Sequence, residues 1–134
     1  MNVAVNRILE TFAVLKPDLG VEPVDVTPGL YEALDTGFAG FAGHVLISAH
    51  EFTGDWPTWE KHPAGDEVVM LLSGQATLVL RTETGEVATR LDAPGTFLVV
   101  PRNTWHTARI PDHARMLFIT PGEGTENRDS PPAT

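Results

Sequence analysis

From His44 to Thr120 the side-chain pattern has a period of two, in stretches of nine residues or fewer that glycine and proline interrupt. A strand turns successive side chains to opposite faces, so this pattern makes short half-buried strands and leaves no room for a long helix. Strands are predicted over His44 to Phe52, Thr58 to His62, Glu67 to Ser73, Gln75 to Thr82, Val87 to Leu91, Thr96 to Val100, Thr104 to Ile110 and Met116 to Thr120. Many short strands at this spacing, with Gly and Pro between them, indicate an all-β sandwich or barrel. Val69, Leu71, Phe97 and Val99 are expected to line its interior.

The flanks read differently. Val5, Ile8, Leu9, Phe12 and Ala13 recur at helical spacing before Pro17 and Gly20, so residues 1–20 are expected to carry a short amphipathic helix. Val21 to Val26 suits a strand and Pro28-Gly29 a turn. Leu30 to Phe41 is open to either a helix or an irregular edge segment. Residues 21–120 form the β-domain, and residues 121–134, with almost nothing to bury, are expected to be a disordered tail.

A chain of 134 residues supports one domain with its own core, and a composition 42% hydrophobic and 20% charged is that of a globular protein. The absence of cysteine removes disulfides and thiolate ligands, so a bound metal must rest on histidine, carboxylate and water. A net charge of -9 with no basic cluster argues against nucleic acid. No membrane partner is expected, because no uninterrupted apolar run of spanning length occurs. The expected location is the cytoplasm.

One segment carries chemistry. Glu60, His62 and Glu67 place three metal-binding side chain types close together between Gly54 and Gly74. Alternation turns Glu60 and His62 to one side and Lys61 to the other. Pro63 to Asp66 supplies a connection, and Glu67 re-enters on the next strand. His44 and His50 share a face of the preceding strand. His50 is open to either a place inside the domain or one on an outer face. Glu60 taken alone is open to an ion pair with Lys61 or Arg102.

The order of these residues resembles that of the cupin superfamily. Its first motif runs glycine, five residues, His-x-His, three or four residues, glutamate, six residues, glycine. Gly54, Glu60-Lys61-His62, Glu67 and Gly74 match every spacing, with Glu60 in place of the first histidine. In the second motif Gly95, Pro101 and His106 fall in place, Asn103 stands for a glycine and Ile110 for an asparagine. Asn103 can adopt the left-handed conformation required there.

The resemblance implies a single-domain cupin, a jelly-roll-like antiparallel β-barrel, with Glu60, His62, Glu67 and His106 as ligands of one divalent ion. Two imidazoles and two carboxylates suit Mn, Fe, Ni or Zn, and a divalent ion balances the two carboxylate charges. It further implies either a metal-dependent enzyme acting on a small organic molecule (an oxygenase, isomerase, lyase or cyclase) or a non-catalytic binding or sensing domain. Trp59 and Trp105 each precede a candidate ligand and are expected to face away from the metal. Trp56 is expected to pack rather than recognise, and His113 to be a loop residue. A homodimer joined through the N-terminal segment and the strand around Val45 to Phe52 is expected.

Overall fold

The computed structural model describes residues 3–131, and 11 strands, one α-helix and one 3₁₀ turn run through them. In chain order they are β1 (Thr11–Leu15), β2 (Val21–Asp25), α1 (Leu30–Gly37), a 3₁₀ turn (Ala39–Phe41), β3 (Val45–Phe52), β4 (Trp59–Lys61), β5 (Glu67–Gly74) and β6 (Ala76–Thr82). β7 (Gly85–Leu91), β8 (Phe97–Val100), β9 (His106–Arg109), β10 (Ala114–Thr120) and β11 (Glu126–Arg128) complete the chain. The strands form two antiparallel sheets, one ordered β2-β1-β3-β10-β5-β8 and the other β11-β4-β9-β6-β7.

The main core lies between the sheets. In β5 the alternate residues Glu67, Val69 and Leu71 are buried, and in β10 so are Ala114, Met116, Phe118 and Thr120. Leu78 of β6 and Ala108 of β9 meet them from the second sheet. The interior positions on β8 are Leu98 and Val100, because Leu98 pairs with Val69 and Val100 with Glu67. Phe97 and Val99 therefore point outward and are 57% and 49% exposed, against the expectation that they line the interior. In a strand, parity follows the register with its partner.

A second cluster lies under α1, where Leu30 and Leu34, one helical turn apart, pack on Phe12, Val14, Phe41 and Leu46. The helix starts at Gly29, whose φ of 79° suits glycine.

Two expectations for the flanks are corrected. Among the described residues the N-terminal helix does not form: residues 11–15 are strand, and the one α-helix described lies at Leu30–Gly37 instead. Phe12 and Val14 are almost wholly buried while their neighbours are half-buried, a period of two that pairing with both β2 and β3 enforces. Local helical spacing gives way to a partner strand on each side. The tail is not free from residue 121 either, because β11 pairs with β4 in the register Asn127 to Glu60. Its backbone hydrogen bonds supply the order that its exposed polar side chains do not. Residues 1, 2 and 132–134, part of both readings, lie outside the described residues.

Candidate metal centre

Glu60 comes from β4, Glu67 from β5 and His106 from β9, while His62 follows β4 directly. Glu60 lies directly opposite His106 in the β4–β9 pairing. His62 is held by its own carbonyl, which accepts a hydrogen bond from the Asn103 amide at 3.1 Å. Asn103 has φ 59°, the left-handed turn the sequence predicts for it. At the last residue of β5, Gly74 has φ 79°, and a Cβ there would run into the His113 carbonyl. The turn that ends the strand bearing Glu67 thus requires glycine.

The four side chains converge. Glu60, His62 and His106 each offer a ligand atom within 4.8 Å of the others, a spacing that can hold a metal ion. Glu67 lies beside both rings, with carboxylate oxygens 3.3 Å from His62 Nε2 and 3.1 Å from His106 Nε2. Glu60 Oε2 stands 3.7 Å from His62 Nε2 and 3.9 Å from His106 Nε2. His62, Glu67 and His106 are buried, and Glu60 is partly exposed. These contacts lack hydrogen-bond alignment, so both Nε2 atoms and Glu67 Oε1 are buried without a hydrogen-bonded partner. Burial of unpaired polar atoms is costly, and a cation among them would satisfy all three.

The atoms behind the cluster are satisfied. His106 Nδ1 donates to the Thr104 carbonyl at 3.0 Å, which turns Nε2 to the cluster. His62 Nδ1 lies 2.8 Å from Thr125 Oγ1, and that hydroxyl donates its own proton to the Gly122 carbonyl. Thr125 must then accept from His62, so Nδ1 carries a proton in this ring too and Nε2 is the atom turned to the cluster. Thr120 donates to Glu67 Oε2 at 2.6 Å and fixes the carboxylate with Oε2 beside His62 and Oε1 beside His106. Metal-binding histidines are oriented in this way.

The charges are strongly coupled. Burial by itself would depress His62, but Glu60 and Glu67 oppose it and raise the imidazole to about 9. Burial would raise Glu67, yet His106 and His62 draw it down to about 2. The metal-free cluster thus holds a proton on His62 that a cation must displace.

Glu60, His62 and Glu67 line a cavity of about 650 Å³. Its other walls include Phe52, Trp56 and Phe118 together with Tyr31 of α1 and His50 of β3. His50 therefore occupies the inner of its two expected positions, and Tyr31 Oη lies 3.3 Å from its Nε2. Trp56 lines the cavity and meets His106 edge-on at 6.2 Å between ring centroids. The segment before β4 is held to β9, since the Trp56 amide donates to the Ala108 carbonyl and Asp55 accepts from the Ile110 amide.

Several residues took other roles. Trp105 faces away from the cluster as expected, buried beneath Lys61 and Arg128 at 5.1 and 5.7 Å. Lys61 pairs with Glu126 at 3.2 Å and not with Glu60. His113 pairs with Glu51 at 3.2 Å. Sequence reasoning missed Thr125 and Tyr31. The three exposed residues of β11 show no hydrophobic period, and the segment around Tyr31 has no fixed periodicity to read.

No protein-family model matches the sequence, and no curated protein does. Solved structures do match. One is a cupin-2 domain protein from Shewanella frigidimarina, 18% identical over 63% of this chain and 71% of that one, at a TM-score of 0.47. A recombinant oxalate oxidase in complex with glycolate is 17% identical at a TM-score of 0.52, covering 61% of this chain and 45% of that one. Peruvianin-I, a cysteine peptidase from Thevetia peruviana latex, is 14% identical at 0.51, covering 61% and 54%. The chain thus spans about half the length of the last two proteins. Two antiparallel sheets, the two motifs in order and the match to the oxalate oxidase structure lead to one conclusion: this chain has the cupin fold.

Proposed function

We propose that the protein is a metal-dependent enzyme acting on a small organic molecule held in the cavity, with Glu60, His62, Glu67 and His106 as the ligands of one divalent ion. The observation that carries this reading is the pair of buried Nε2 atoms and the Glu67 oxygen, unpartnered around one point while the atoms behind them are hydrogen-bonded. Nitrogen and oxygen donors without sulfur suit Mn, Fe, Ni or Zn.

A bound ion of this kind polarises an oxygen of the substrate as a Lewis acid. The chain's own residues do the rest. His62 and His106 are oriented by Thr125 and by the Thr104 carbonyl, and Glu67 by Thr120. Glu60, the most accessible of the four, can serve as a proton acceptor at its Oε2 if three ligands suffice. Phe52, Trp56 and Phe118 keep water from the inner wall.

Metal content decides the first part. Purified protein should carry about one divalent ion per chain, and His62→Ala and His106→Ala should each lose it while circular dichroism shows the β-fold intact. Unchanged occupancy in both variants would overturn the ligand assignment. Metal-loaded protein should then turn over at least one member of a panel of small phenols, diketones and sugars. Saturable binding without turnover would instead favour a sensing domain.

A further inference from the structure

The two sheets end in four edge strands, β2 and β8 in one and β11 and β7 in the other. A free edge leaves backbone N–H and C=O groups unpaired, and short strands or proline guard against unwanted pairing there. β8 and β11 have four and three residues, and β2 carries Pro23. β7 has neither safeguard. It runs seven residues from Gly85 to Leu91 without proline, and every residue up to Arg90 is exposed.

The register shows which of its backbone groups are free. In the β6–β7 pairing Arg81 lies opposite Glu86, Val79 opposite Ala88 and Thr77 opposite Arg90. The Arg81 amide donates to the Trp105 carbonyl at 2.8 Å, on the side away from β7. Bonded and non-bonded pairs alternate in an antiparallel ladder, so these three pairs are the non-bonded ones. Glu86, Ala88 and Arg90 therefore turn their own N–H and C=O groups to the open edge.

These positions are symmetric about Ala88, the middle residue of β7. When a second β7 is laid antiparallel with Ala88 opposite Ala88, Glu86 of each copy meets Arg90 of the other. Every such pair exchanges both of its backbone hydrogen bonds, and the outer two bring unlike charges together. Among the described residues Glu86 forms no ion pair, whereas Arg90 contacts Asp92 at 3.7 Å and Gln75 at 3.0 Å. A guanidinium has five N–H donors, so those contacts leave others free. On the opposite face Val87, 50% exposed, comes beside Thr89 of the second copy, a β-branched pair of the kind that stabilises sheets.

We propose that β7 is a self-recognising edge, on which a second copy of this chain pairs antiparallel about Ala88 and joins two five-stranded sheets into one. This contact is separate from the homodimer expected through the N-terminal segment and β3, which belong to the six-stranded sheet. Two short strands cover little area, so the contact is weak, with a dissociation constant on the order of 0.1 mM.

Sedimentation equilibrium of the full chain from about 10 µM to about 1 mM tests it, in about 0.15 M salt to screen the repulsion between two acidic chains. The mean mass should rise across this range above its micromolar value. Glu86→Arg and Arg90→Glu each set like charges opposite one another at both ends of the pairing, and each should abolish the rise. An equimolar mixture of the two variants sets unlike charges opposite again and should restore it. Ala88→Pro removes an N–H that faces the open edge and none that β6 uses, so it should abolish the rise with the circular dichroism unchanged. If that variant fails to fold, the charge exchange still decides. A flat mass in the native chain would overturn the proposal, and a rise that persists in Glu86→Arg or in folded Ala88→Pro would overturn β7 as the contact. A mixture that stays flat would overturn the antiparallel register.

Discussion

Glu60 is the residue whose identity has the largest chemical consequence, because a carboxylate in place of an imidazole changes both the charge and the hardness of the cluster. Glu60→His should keep a metal but shift preference toward softer ions in a competition among Mn, Zn and Ni. An unaltered preference would show that Glu60 is not a ligand. The same cluster sets the pH dependence of the metal-free protein. His62 is raised from 6.5 to about 9, so its stabilising contribution is complete below pH 6.5 and is lost as pH rises toward 9. Glu67 is lowered from 4.5 to about 2, so its contribution is complete above pH 4.5 and is lost as pH falls toward 2. Metal-free protein should therefore melt at its highest temperature between pH 4.5 and 6.5. A metal ion needs His62 without that proton, so loaded protein should show its maximum at higher pH. Melting curves with and without a chelator measure the difference, and superimposable profiles would refute the coupling.

At the scale of elements, the proposed ligands come mainly from strands, and β11, which contributes none of them, matters as much. β11 lies beside β4, and the loop before it supplies Thr125 to His62 Nδ1. Thr125→Val keeps the shape and loses the acceptor, and metal affinity should fall about 10- to 100-fold with little change in melting temperature. Truncation after residue 122 should do at least as much, although the composition of this segment reads as a dispensable tail. Isothermal titration with zinc checks both. An affinity equal to that of the full chain would mean that the His62 orientation does not depend on this loop. The chain writes β5 and its partners plainly, in buried alternate residues, but leaves β11 unmarked because its order comes from backbone pairing alone.

At the scale of the whole molecule, the outer face of the six-stranded sheet is unusually apolar. Pro23, Ala13, Ile47, Ile119, Val68 and Val99 stand side by side across all six strands, and Ala49, Leu117, Met70 and Phe97 form the next row. A contiguous patch of this kind favours burial against a second copy, and a twofold pairing hides it on both at once. Sedimentation velocity at micromolar concentration should give a dimer that Val99→Lys shifts to monomer, with metal content unchanged. A monomeric native protein would rule this assembly out. Deleting residues 1–16 is not a clean test, because it removes Phe12 and Val14 from the core beneath α1.

The amino-acid sequence alone determined that the chain is all-β, where nine of its strands lie, and that Asn103 and Gly74 occupy special turns; the resemblance to the cupin motifs added which four side chains gather at the cluster. Each of these is legible locally, in a period of two, a turn residue or a fixed spacing. Only the tertiary structure decided that residues 11–15 are strand, that Phe97 and Val99 face outward, that Thr125 orients His62, and that Trp56, Phe52 and Phe118 form one wall. Those outcomes depend on which distant strand lies alongside. The pairing energy that selects the partner belongs to two segments together, and neither segment carries it in its own pattern.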